Sequence, residues 1–307
     1  MSDNIFLETP SQDELPVAPA PNDSPKAPNA FFQLIKGLCY FLLFITSQFL
    51  ATFILIFYYA FKLTFERATD ENVDASKIVD DVLEIVSSDT NSFLIVYGFI
   101  FLFLLLITFA IRKKNVFEET QFRKFSPKYL PAIALLTFGL YFLVSSVLNF
   151  LPKSWMTDYA ESSSFISEGS FVLSMFTQAL IAPLTEELTF RGLMLSRFDK
   201  ALPKWIGISI SSLLFGLIHG NAIWFIYAAA LGCIFCIIAE YTGSIFSTFL
   251  MHCVFNASGT IFAYLFPQID FKGYLIFLIL GIPMIIASFY LLHRTHKSEK
   301  AVMAANS

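Results

Sequence analysis

Glu186, Glu187 and Arg191, then His219, then His252 and Asn256 are the residues whose types and spacing could do chemistry. All lie in or at the ends of long apolar runs, where an ionised side chain costs about 2.5–3.5 kcal/mol on insertion scales. Groups kept in such places are used or paired. Spacing separates the two glutamates. On a helix, Glu187 and Arg191 stand at i and i+4 and share a face, which suits an ion pair. Glu186 is turned about 100° away from Glu187, which leaves it free of that pair and available for other work. His219 follows Phe215 at i+4 and Asn256 follows His252 at i+4, so each pair projects from one helix face.

Two glutamates, two histidines and an asparagine on three separate helices supply a base, a second polariser and hydrogen-bond donors. That inventory suits activation of water and stabilisation of an oxyanion. Other chemistries are less well provided. Ser209, Ser211 and Ser212 precede His219 without a nucleophile-elbow motif. No histidine is followed by glutamate, so the zinc-protease pattern H-E-x-x-H is absent. By residue type alone Glu186, His219 and His252 are acceptable zinc ligands, and a zinc site stays open beside a metal-free one. Cys39, Cys233, Cys236 and Cys253 all sit in apolar runs; Cys233-x-x-Cys236 has no companion pair and reads as small packing residues. Taken singly, either histidine could be an interhelical hydrogen-bond partner. The Glu–Glu–Arg cluster could equally be a structural pair or part of a proton path.

The elements that must position these groups are helices in a membrane. Of 307 residues, 56% are hydrophobic and only 14% charged, with a mean hydropathy of +0.66. Apolar stretches of about 18 residues or more recur, which marks an all-α polytopic membrane bundle rather than a soluble domain. Eight spans are expected: 37–61, 93–111, 129–150, 171–195, 205–218, 222–239, 245–266 and 274–292. The fifth is short, about 20 Å at the helical rise, and His219-Gly220-Asn221 breaks the run after it. Either that helix begins earlier, near Leu202, or the turn sits below the surface and lines a cavity, the setting in which irregular backbone is tolerated in a membrane. Residues 1–30, with Pro10, Pro16, Pro19, Pro21, Pro25 and Pro28, read as a disordered tail. In the connection after the first span, Ile78, Val79, Val82, Ile85 and Val86 have the spacing of a short amphipathic helix.

Lysine and arginine set the expected orientation. Arg112, Lys113, Lys114, Arg123, Lys124 and Lys128 follow the second span, Arg197, Lys200 and Lys204 the fourth, and Arg294, Lys297 and Lys300 the last. These connections should be cytoplasmic, as should both termini. The acid-rich connections after the first and third spans should face outward.

The three groups also resemble a family. Glu186-Glu187-x-x-x-Arg191, Phe215-x-x-x-His219 and His252-x-x-x-Asn256, with Glu240-Tyr241-Thr242-Gly243-Ser244 before the third, are similar to the motifs of the CPBP family. These are the type II CaaX-processing and bacteriocin-processing intramembrane endopeptidases, also called the Abi family. The resemblance spans about residues 170–260. It implies a glutamic protease without a metal cofactor, sunk in an eight-helix domain. Glu186 would activate water with help from His219; His252 and Asn256 would form the oxyanion hole; Glu187 and Arg191 would support the motif helix. The expected organisation is a tail at 1–30, two N-terminal spans at 31–128, the protease core at 129–296 and a polar end at 297–307. The partners implied are the bilayer and a peptide or a lipidated or membrane-bound protein, with no nucleic acid and an open oligomeric state. A bacterial plasma membrane is the expected location, with CaaX-type processing or bacteriocin processing and self-immunity as the role. The competing readings are a non-enzymatic immunity or scaffold protein and a proton-coupled transporter.

Overall fold

The computed structural model describes residues 29–68, 74–163, 170–266 and 268–306. The tail expected to be disordered lies outside them as far as residue 28. The described chain is an all-α bundle without a strand. Its helices are α1 (Ala30–Glu66), α2 (Ala75–Ser88), α3 (Thr90–Ile111), α4 (Val116–Glu119), α5 (Leu130–Phe150) and α6 (Lys153–Ser163), followed by α7 (residues 171–198), α8 (Lys204–Leu217), α9 (Ala222–Thr242), α10 (Ile245–Leu265) and α11 (Phe271–Asn306).

Among the described residues, six helices are long and apolar enough to cross a membrane: α1, α3, α5 with its leading turn, α9, α10 and α11. The expected eight spans differ from this at two places, both in the site-bearing region. The fourth, α7, is helical throughout but alternates in winding. α turns at Phe171–Phe176, Ala182–Glu187 and Ser196–Phe198 are separated by π turns at Thr177–Ile181 and Leu188–Leu195. The fifth, α8, has 14 residues. It begins at Lys204 with Pro203 at its N-cap, close to Leu202. Its far end is the turn through Gly220, whose φ of +70° is the left-handed region that glycine adopts without strain. Asn221 then caps α9 by accepting from the Ile223 and Trp224 N–H groups. His219 at this turn lines a cavity.

Small residues let these helices approach. A Cβ added at Gly216 would stand 2.7 Å from the Phe225 carbonyl oxygen, so the α8–α9 hairpin needs glycine there. One core cluster joins α1 and α3 to α7 through Phe44, Phe101, Phe190 and Met194; a second joins α5, α9 and α10 through Leu136, Phe235 and Met251. In α2, Val82 is buried while Ile78 and Ile85 are half-buried, the i, i+4, i+7 stripe of an amphipathic helix.

The basic connections gather at one end of the bundle. Arg197 pairs with Glu119, Lys128 with Glu299 at 2.8 Å, and Tyr129 meets His296 at 3.2 Å. Arg123 Nε donates to the Gly243 carbonyl at 2.8 Å, and the Ser244 hydroxyl donates to the Arg123 carbonyl. Arg112 near the end of α3 donates to Tyr40 near the start of α1. We expect this end to be cytoplasmic, on the positive-inside rule. A cysteine placed at Asn115 should react with a membrane-impermeant thiol reagent only in inverted vesicles or opened cells. Labelling of intact cells would reverse the assignment.

Candidate active site

Three helices bring the polar groups together. α7 carries Glu186 and Glu187 at the end of its central α turn, the turn after α8 carries His219, and α10 carries His252 and Asn256. All but Glu187 line one cavity of about 460 Å³, far larger than the roughly 30 Å³ share of a single water. Its remaining wall is largely apolar and aromatic, including Phe93, Leu94, Tyr97, Leu148 and Phe255.

Glu187 lies behind this cavity with a side chain that is 0% exposed. Its Oε1 accepts from Arg191 Nη1 at 2.9 Å and from His252 Nδ1 at 2.9 Å. The Arg191 guanidinium is equally enclosed and stands 4.2 Å from the Phe215 ring centroid and 5.3 Å from that of Phe235. Its Nε and Nη2 have no hydrogen-bond partner among the described residues. The electron-rich ring faces are the compensation for the remaining charge.

The His252 ring lies between the two glutamates. With Nδ1 held by Glu187, Nε2 faces Glu186, 3.6 Å from its Oε2. The rings of Phe215 and Phe235 flank it at centroid distances of 5.8 and 5.3 Å. Glu186 thus avoids the arginine pair but does have a neighbour, which the i, i+4 spacing could not reveal. His219 is held differently: its Nδ1 donates to the Phe215 carbonyl at 2.9 Å. In the neutral ring this leaves the Nε2 lone pair as an acceptor. Asn256 Nδ2 donates one of its hydrogens to the Gln178 carbonyl at 2.9 Å, and the second remains for another acceptor.

Arg191, Glu187, His252 and Glu186 thus stand in a row across the site, with Glu186 and His252 lining the same cavity as His219 and Asn256. Such a set can hold a water against a carboxylate and offer N–H donors to a developing oxyanion. As a metal site it is less well assembled: no group of three or more His, Cys, Asp or Glu side chains among the described residues is arranged to hold an ion.

Residues 168–258 match the model of a protein family, type II CAAX prenyl endopeptidase Rce1-like. This match supports the CPBP/CAAX protease family for that stretch of the chain. The matched stretch contains α7 to most of α10, and with it every polar group of the cavity set. At family level the match supports a CAAX-type intramembrane protease, and the apolar helices support an integral membrane protein. No curated protein and no solved structure matches the chain.

Sequence reasoning passed over several residues of this site. Gln178, 8% exposed, lines the cavity and supplies the carbonyl for Asn256. An amide inside an apolar run was the available signal. Tyr97, 2% exposed, also lines the cavity and shares a hydrogen bond with Thr185, one residue before Glu186. A tyrosine and a threonine in separate apolar runs carry no signal that they meet.

Proposed function

We propose that this chain is a glutamic endopeptidase of the membrane interior that works without a resident metal. Its substrate is a lipidated or membrane-associated protein end, of the CaaX kind. The observation that carries this reading is the convergence of Glu186, His219, His252 and Asn256 on one mostly apolar cavity. Glu186, as carboxylate, takes a proton from water while that water attacks the scissile carbonyl carbon. The neutral His219 accepts a hydrogen bond from the same water through Nε2 and fixes its orientation. The developing oxyanion receives the free Asn256 Nδ2–H and, from imidazolium His252, an Nε2–H. Collapse of the tetrahedral intermediate breaks the C–N bond, and the proton held by Glu186 passes to the leaving amine. Glu187 and Arg191 hold the His252 ring and the α7 backbone. The apolar and aromatic wall suits a prenyl group or other apolar substrate segment.

The test is cleavage of a farnesylated CaaX peptide and of a library of membrane peptides by the purified, detergent-solubilised protein. Turnover should persist in EDTA or phenanthroline. Loss of turnover in chelator with recovery on zinc would overturn the metal-free mechanism. Absence of cleavage of any peptide by well-folded protein would favour a scaffold instead.

A further inference from the structure

The π turn at Thr177–Ile181 leaves one backbone carbonyl without its usual partner, and that carbonyl is the one Asn256 uses. In an α-helix the Gln178 oxygen would accept from the N–H of residue 182. Here the Ala182 N–H reaches back five residues to the Thr177 carbonyl, the π pattern. In that pattern the Gln178 oxygen should accept from residue 183. Residue 183 is a buried proline and has no N–H. A buried carbonyl left this way requires another donor, and Asn256 Nδ2, from α10, fills the place at 2.9 Å.

We propose that Pro183 is a positioning residue for Asn256: by withholding the backbone donor from the Gln178 carbonyl, it fixes the amide of Asn256 with its NH2 group toward α7. An asparagine amide can turn over, exchanging its oxygen and its nitrogen. A carbonyl acceptor allows only the orientation with nitrogen toward it. The second Nδ2 hydrogen is then held ready for an acceptor beside the cavity instead of being replaced by the amide oxygen, which would repel an oxyanion. Pro183→Ala supplies the missing donor whichever winding follows. If α7 relaxes to an α-helix, residue 182 reaches the Gln178 carbonyl; if it stays π, residue 183 does.

The inference rests on the proposed protease reading for its catalytic consequence, but its structural half can be measured without activity. Gln178 is the only glutamine in the chain followed by alanine. Labelling with carbonyl-13C glutamine and 15N alanine therefore isolates the Gln178 carbonyl in a solid-state NMR spectrum of the full chain. In the wild type, Asn256→Ala should move this resonance upfield as the hydrogen bond is lost. In a Pro183→Ala background the same Asn256 change should leave it in place. An equal upfield shift in both backgrounds overturns the proposal even if the protein cleaves nothing.

With a cleavable peptide in hand, Pro183→Ala should lower kcat about 10-fold or more, towards the roughly 10²–10³-fold loss of an oxyanion donor, with little change in KM. Adding it to Asn256→Ala should cost nothing further. Lactic acid incorporated at 183, which has alanine's methyl group but no N–H, should restore turnover. If the losses multiply in the double variant, or if lactic acid is as poor as alanine, Pro183 acts through the helix and not through Asn256. An intact effect of Glu186→Gln alongside either result would leave the protease reading standing.

Discussion

Glu186→Gln is expected to lower kcat/KM on a cleavable peptide by about 10²–10⁴-fold, the usual cost of removing a positioned general base. The substitution keeps the size of the side chain and a polar oxygen toward His252 Nε2, which stands 3.6 Å from Glu186 Oε2. It removes only the capacity to take a proton from water. The Arg191–Glu187 pair lies on another face of α7 and is untouched, so the variant should fold and melt like the wild type. Turnover within a few-fold of wild type by protein of normal stability would end the glutamic-protease reading. The cavity set would then be an interhelical hydrogen-bond network, as in a scaffold.

The second large effect is on stability. Arg191→Ala should destabilise the fold by about 3–5 kcal/mol, the range for stranding one member of a buried ion pair. Both side chains of the pair are 0% exposed, so solvent cannot take over the released carboxylate. The same change removes the guanidinium from the faces of Phe215 and Phe235 and leaves a gap between α7, α8 and α9. Thermal unfolding in detergent and abundance in the membrane both read the loss. Replacing the pair together, Glu187→Gln with Arg191→Met, should recover much of it, because no charge is left unpaired. If Arg191→Ala melts at the wild-type temperature, the pair does not hold the motif helix.

How far the sequence alone reached depends on the range of the interaction. Apolar runs long enough for a bilayer, an i, i+4 glutamate–arginine spacing and basic connections between spans are properties of neighbouring residues. They are legible because the covalent chain and the helical repeat fix them. The all-α membrane class, the separation of Glu187 from Glu186 by face and the weak fifth span all came from such local rules.

What only the tertiary structure decided lies between segments far apart in the chain. His252 inserts between two glutamates 65 and 66 residues away, giving Nδ1 to one and Nε2 to the other. Asn256 finds a main-chain carbonyl 78 residues earlier, and Tyr97 meets Thr185 across 88 residues. Pro183 removes one backbone N–H from α7, but its residue type alone does not say whether the helix answers by bending or by winding as π. A freed carbonyl in a low-dielectric interior must find a donor, and packing against α10 brought Asn256 to it. The two expected spans that are not uninterrupted full-length helices, α7 and α8, both contribute to the site beside the regular α10. Irregular backbone at membrane depth is tolerated where it is buried in protein or lines a cavity, and a reading based on length and apolarity counts only regular crossings.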